Sequence, residues 1–227
     1  SEEEIPQYSR PMISEYVSRE ANLKTMKYRR DEFWKNNNVH KLTGRKATKI
    51  DFERKEVELD NVDKIKFEKL LIATGGKPFV PKIEGGKKNG VFTFTDLSNA
   101  REIESKLENS KTAIVIGGGL IGVSASEALV KRDIKVTLVE LKDNILNLIL
   151  DKTASKIAEN VLSEAGVTIV TGQTVKTILG KEDNNNIVGG VILSDGTKIE
   201  CDLVVIAIGV IPRTELVNET PLKVNRG

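Results

Sequence analysis

Thr112-Ala113-Ile114-Val115-Ile116-Gly117-Gly118-Gly119-Leu120-Ile121-Gly122 is the stretch that decides the fold. Its first five residues form an apolar, largely β-branched run, the pattern of a strand buried on both faces. Glycines then occupy the first, third and sixth places of G-x-G-x-x-G, and residues 120–131 continue as a helix. Lys135-Val136-Thr137-Leu138-Val139-Glu140 is a second strand, so the segment reads as a βαβ unit with parallel strands. Each glycine has a physical task in such a turn. Gly117 permits the tight reversal, Gly119 lets backbone approach a pyrophosphate, and Gly122 allows the helix to pack closely on the strand. Gly118, Leu120 and Ile121 complete the loop, whose helix N-terminus offers N–H groups and partial positive charge to phosphates. Glu140 stands 18 residues after the third glycine, where a carboxylate accepts hydrogen bonds from adenosine ribose hydroxyls. Its charge opposes a 2′-phosphate and so favours NAD over NADP, while Lys142 offsets part of that repulsion.

Outward from this unit the period of the apolar residues changes several times. Leu97, Ala100, Ile103 and Leu107 share one face of a helix over 96–107. A helix over 152–164 precedes a strand at 167–170, a β-meander fills 174–201, and Leu203-Val204-Val205-Ile206-Ala207-Ile208-Gly209 is an apolar strand running into glycine. The expected class is α/β: a Rossmann-like three-layer domain with a parallel sheet and a β-meander. Upstream, helical patches cover 11–20 and 31–37, and Val39-His40-Lys41-Leu42-Thr43 reads as a strand with His40 on the surface. Segments 46–52, 56–60 and 64–67 form another meander, and Leu70-Leu71-Ile72-Ala73 reads as a fully apolar strand ending in Thr74-Gly75-Gly76. Sliding the chain by 134 positions superposes 57–75 on 191–209 without a gap, with identities at Leu59/Leu193, Lys64/Lys198, Ile65/Ile199, Ile72/Ile206, Ala73/Ala207 and Gly75/Gly209. Such self-similarity marks an internal duplication. The counterpart of Gly117 would fall at 117 − 134 = −17, so the first half is expected to be an incomplete second domain of the same type.

Composition narrows the chemistry. Net charge is +2 over 227 residues, which gives no electrostatic case for nucleic acid or an anionic membrane surface. The apolar run at 203–208 is far shorter than the roughly 18 residues needed to span a bilayer. A single cysteine, Cys201, forms no internal disulfide, fits a reducing cytoplasm and reads as an inert core thiol beside a buried strand. One histidine and one cysteine cannot assemble a zinc cluster, and no nucleophile elbow accompanies His40. A simple dehydrogenase needs a proton relay beside the nicotinamide, and none follows the loop. Electron transfer into a second cofactor needs only placement, and a flavin is the natural candidate.

Three ordered segments resemble the FAD-dependent pyridine nucleotide-disulfide oxidoreductase family. They are Leu71-Ile72-Ala73-Thr74-Gly75-Gly76-Lys77-Pro78, the glycine loop from Val115 to Gly122, and Ala207-Ile208-Gly209-Val210-Ile211-Pro212-Arg213-Thr214-Glu215-Leu216. Tyr8-Ser9-Arg10-Pro11-Met12-Ile13-Ser14 is similar to the flavin-side segment of NADH-dependent rubredoxin, ferredoxin and nitrite reductase-like members. The resemblance implies that Arg10 and Pro11 lie along the flavin, that Ala73, Thr74 and Gly75 approach FAD, and that Gly209 and Pro212 sit near the nicotinamide passage. It implies a partial FAD-binding domain at 1–94, an NAD-binding domain at 95–212, and the start of a return segment to the FAD domain at 213–227. Neither the family's N-terminal FAD glycine loop nor its later Gly-Asp segment is present. The sequence departs from relatives in two places. Val123-Ser124 stands where many have a glutamate two residues after the third glycine, and Glu15 follows Ser14 where some have a lysine.

The expected function is therefore that of a cytoplasmic, FAD-containing, NADH-dependent oxidoreductase. Hydride passes from NADH to FAD and electrons go on to a small redox protein such as rubredoxin or ferredoxin, or to oxygen. No catalytic side chain and no metal site are assigned. Two rivals stay open: a non-catalytic NAD-binding or sensing module, and a flavin-free dehydrogenase acting on a small carbonyl compound.

Overall fold

The fold was read from a computed structural model, which describes residues 1–5, 7–218 and 220–225. The last two residues of the expected return segment, and Glu219 within it, lie outside the described residues. In chain order the elements are a 3-10 turn at Arg10–Met12, helices α1 (Ile13–Val17), α2 (Leu23–Met26) and α3 (Asp31–Asn36), strands β1 (Ala47–Asp51), β2 (Glu56–Leu59), β3 (Lys64–Lys66), β4 (Gly76–Pro78) and β5 (Val91–Thr93), and helix α4 (Leu97–Leu107). Strand β6 (Thr112–Ile116), helix α5 (Leu120–Val130), strand β7 (Lys135–Val139) and helix α6 (Lys152–Glu164) follow. Strands β8 (Val167–Val170), β9 (Val175–Gly180), β10 (Val188–Leu193), β11 (Lys198–Glu200), β12 (Leu203–Ile206) and β13 (Val210–Pro212) complete the chain.

Contacts divide these elements into two units, one of residues 10–22 and 78–210 and one of residues 1–9, 23–77 and 211–227. The larger unit is built on a five-stranded sheet of order β5-β12-β6-β7-β8. All its pairings are parallel, with Ile114 opposite Val204 and Val115 opposite Leu138. Because side chains alternate along a strand, the apolar runs of β6 and β12 supply both faces. Ile114, Ile116, Val204 and Ile206 pack with Val175, Ile178, Val188, Val191 and Leu193 of an antiparallel meander, β11-β10-β9. Helix α5 packs on β6, β7 and β12, and α1 lies against α4 and α5. Meander, sheet and helices are the three expected layers. Asp96 caps α4 by accepting from the Asn99 N–H at 2.9 Å, and Asp151 caps α6 by accepting from Ala154 at 2.8 Å. The 94/95 boundary expected from sequence does not coincide with this division, since 91–93 pair with β12 and 10–22 pack on the sheet's helices.

The smaller unit holds the antiparallel meander β1-β2-β3, with Val57 opposite both Ile50 and Ile65. Its buried apolar residues, among those described, are Met26, Ile50 and Leu59. Two expectations are corrected here. Residues 39–43 form no strand; they run as coil with 39–42, His40 included, exposed, because no described strand pairs with them. Residues 70–73 also form no strand, and Leu71 is 88% exposed. An apolar run becomes a strand only when a ladder partner takes its N–H and C=O groups, and no described segment does so for these residues. Among its described residues the smaller unit therefore shows a meander and no parallel sheet.

Cys201 is 3% exposed at the junction of β11 and β12. Burial, with the nearby Asp202 carboxylate, pushes its thiol up to about 12. Iodoacetamide at pH 8 should leave the native thiol intact and label it once the chain is unfolded; labelling at equal rates would contradict this packing. The sign for stability follows. Between about pH 9 and about 12 the unfolded thiol has lost its proton and the folded one has kept it, so this site's contribution falls as pH rises.

Candidate functional site

The glycine loop sits at the C-terminal edge of the parallel sheet, where open α/β sheets bind their ligands. Its conformation follows from what surrounds each glycine. Gly117 has φ +109° and donates its N–H to Val139 O at 2.8 Å, while a Cβ there would lie 2.5 Å from Ala207 O. At Gly122 a Cβ would fall 1.8 Å from Gly117 O, so the first turn of α5 rests directly on the loop backbone. Gly119 is the N-cap of α5, and a Cβ there would meet nothing within 4 Å. Gly119 and Leu120 are exposed, Ile121 is half-buried, and Gly118 is buried beneath them. The first-turn N–H groups of α5 have no intrahelical acceptor and point out of the helix end. Close packing below and open space above is what a pyrophosphate requires, so these residues fit a dinucleotide.

Glu140 follows β7 and is 8% exposed. Its Oε2 accepts from the Gly118 N–H at 2.5 Å and its Oε1 from the Lys142 N–H at 2.8 Å. Each oxygen keeps further acceptor capacity. The carboxylate thus joins the glycine loop to the turn after β7, while the Lys142 side chain is exposed. The rest of that turn carries no sequence motif. Leu146, at φ +52°, donates its N–H to Gly118 O at 2.7 Å, and the buried Ser155 hydroxyl of α6 donates to Ile145 O at 2.8 Å. Nothing in composition marks Leu146 as left-handed, and Ser155 reads as an ordinary polar helix residue.

The remaining sequence-predicted residues divide between the two units. In the larger one, Arg10 donates to Thr95 O at 3.0 Å, Pro11 lies in the turn before α1, and Ser14 Oγ donates to Glu15 Oε2 at 2.9 Å. There too Gly209, at φ +125°, accepts from the Phe79 N–H at 2.9 Å. In the smaller unit Ala73, Thr74 and Gly75 are exposed; Thr74 Oγ1 donates to Arg213 O at 2.7 Å, and Gly75 O accepts from the Arg213 N–H at 2.9 Å. These bonds obey the duplication, because 75 + 134 = 209 and 79 + 134 = 213. Strands β4 and β13 pair in a two-stranded sheet and lie at the same offset, 76–78 against 210–212.

Parallel order, glycine loop and strand-end carboxylate define a Rossmann-type α/β domain. The chain belongs to the pyridine nucleotide-disulphide oxidoreductase family, which it matches over residues 2–227. It is 33% identical over 223 residues to the NAD(P)H nitrite reductase of Bacillus subtilis strain 168, covering 98% of this chain and 27% of that protein. To the rubredoxin-NAD(+) reductase of Pseudomonas putida it is 28% identical over 228 residues, covering 100% of this chain and 58% of the other. Among solved structures, the covalent putidaredoxin reductase–putidaredoxin complex superposes with a TM-score of 0.92 at 29% identity, covering 100% of this chain and 55% of that one. The chain thus spans from about a quarter to a little over half the length of these relatives.

Proposed function

We propose that this chain is the NADH-binding part of a cytoplasmic flavoprotein oxidoreductase, one that moves hydride from NADH to FAD and electrons onward to a small redox protein such as rubredoxin or ferredoxin, or to oxygen. The observation that carries the reading is the glycine loop seated between β6 and α5 with the buried Glu140 carboxylate locked to it. In this reading Gly117, Gly118, Gly119, Leu120, Ile121 and Gly122 hold the pyrophosphate, and Glu140 accepts from the ribose hydroxyls with Lys142 beside it. Bound FAD would supply the exchange between a two-electron donor and a one-electron acceptor. Arg10, Pro11, Ala73, Thr74 and Gly75 are the flavin-side residues and Gly209 the nicotinamide-side one. Gly75, at φ +68° with nothing within 4 Å of a Cβ, offers open backbone for such an approach.

The domain assignment is part of the proposal: 1–94 belongs to a FAD domain that this chain contains in part, 95–212 binds NAD, and 213–227 begins the return to the FAD domain. Among the described residues of the smaller unit, three buried apolar ones are few for a unit of its size, which supports a fragment.

Anaerobic titration of the full natural protein with NADH should bleach its visible flavin absorbance. Retained NADH binding with no bleaching would favour the binding-module reading, which Val123-Ser124 and Glu15 support. Glu140→Ala should weaken NADH by about 10- to 100-fold, from one lost charged hydrogen-bonding group, and leave NADPH less disfavoured. An unchanged NADH/NADPH ratio would remove Glu140 from the ribose site.

A further inference from the structure

We infer that Ser155 and Glu159 of α6, together with Asn144, are positioning residues that set the conformation of the glycine loop and thereby the affinity for the dinucleotide. The inference rests on the dinucleotide reading above and names residues that touch no part of the loop themselves.

Gly118 is held on three sides. Its N–H is taken by Glu140, its C=O by the Leu146 N–H, and its Cα is covered by Ile145, whose Cγ2 would stand 2.9 Å from a Cβ at that position. Two of those three holds come from residues 145 and 146, and that dipeptide is fixed by α6. Ser155 Oγ donates to Ile145 O at 2.8 Å and accepts from Asn144 Nδ2 at 2.9 Å. One helical turn on, Glu159 Oε1 accepts the Ile145 N–H, more loosely, at 3.4 Å. Both polar groups of the Ile145 peptide therefore bond to side chains of one helix face.

Ser155 is 0% exposed, and a buried hydroxyl is tolerated only when it is bonded. Its bonding capacity is spent on the turn after β7. Leu146, next in the chain, sits in the left-handed region that a γ-branched residue occupies only when its surroundings enforce it. The arrangement orients the Leu146 N–H at Gly118. Loss of the Ser155 hydroxyl frees the 144–146 turn, removes the acceptor's partner at Gly118 and loosens the backbone that a pyrophosphate must meet.

The test uses the full natural protein, with Ser155→Ala, Glu159→Ala and Glu159→Gln. Calorimetric titration of wild type with NADH comes first; failure to bind overturns the dinucleotide reading and this proposal together. With wild-type binding established, Ser155→Ala should raise the NADH Kd about tenfold, the worth of one positioned hydrogen bond. KM for NADH should rise in step with little change in kcat, as expected for a group acting on the bound adenosine-phosphate end. Amide exchange at Gly118 and Leu146 should accelerate while that of β8 and β10 does not, a pattern that global destabilisation cannot give. Glu159→Gln, whose amide oxygen still accepts the Ile145 N–H, should bind as wild type, and Glu159→Ala should not. Wild-type affinity in Ser155→Ala and Glu159→Ala, or exchange accelerated evenly across the sheet, overturns the proposal while leaving the dinucleotide reading in place.

Discussion

Gly117→Ala should abolish measurable NADH binding and lower the melting temperature by roughly 10 °C. Two costs coincide at this residue. A φ of +109° lies outside the range of an L side chain, at about 1–3 kcal/mol, and the new Cβ would lie 2.5 Å from Ala207 O. Neither wall can retreat cheaply. The Gly117 N–H is committed to Val139 O at 2.8 Å, and the Ala207 N–H to Ile116 O at 2.8 Å, so relief requires breaking a bond of the central sheet. Overpacking of this kind adds a further 1–3 kcal/mol. The loop would also shift by an appreciable fraction of an ångström, enough to cost on the order of 10²-fold in a site that depends on backbone placement. Gly166→Ala provides the control. Gly166, after α6, has φ +101° but nothing within 4 Å of a Cβ, so it incurs the dihedral cost alone and should keep NADH binding. Equal destabilisation of the two variants with NADH binding intact would show that Gly117 is an ordinary turn.

The elements that sequence reasoning placed correctly are those whose signal is local and periodic. Strands β6 and β7 and helices α5 and α6 carry apolar runs or stripes, β6 and α5 meeting at the glycine loop and α6 ending just before Gly166. The glycine loop was legible because its conformation is a property of glycine. Residues 70–73 are as fully apolar as β12 yet form no strand, since pairing is supplied from elsewhere or not at all. Residues 39–43 lack a strand for the same reason. The spacing singles out Glu140 as a candidate, but its bonds to Gly118 and Lys142 leave no mark in the sequence. The hold on Gly118 depends on Leu146 adopting a left-handed conformation and on Ser155 facing inward, and both are set by packing between α6 and the turn after β7.

The duplication yields the second large effect. At the 134 offset Leu71 corresponds to Val205, which is 0% exposed in the middle of the parallel sheet between β5 and β6. Val57 and Ile65 likewise correspond to Val191 and Ile199, which pack against or within the core beneath that sheet, whereas Ile65 is exposed. Among the described residues, Ile65 and Leu71 of the smaller unit are thus exposed where their counterparts in the larger unit pack against or within its core. In the 227-residue chain Leu71→Asp should change stability by less than about 0.5 kcal/mol, as for any exposed site, and improve solubility. Val205→Asp should unfold the larger unit, because an unpaired carboxylate in an apolar sheet costs more than about 4 kcal/mol. On the proposed reading, in which 1–94 belongs to a FAD domain that this chain contains in part, the two positions should converge in the longer protein: Leu71→Asp then buries a charge and should cost several kcal/mol together with bound FAD. Chemical denaturation of both variants in both lengths of chain reads this directly. A silent Leu71→Asp in the full protein would mean that residues 70–73 are not a strand there either, and would remove the basis for treating the first half as part of a second Rossmann-type domain.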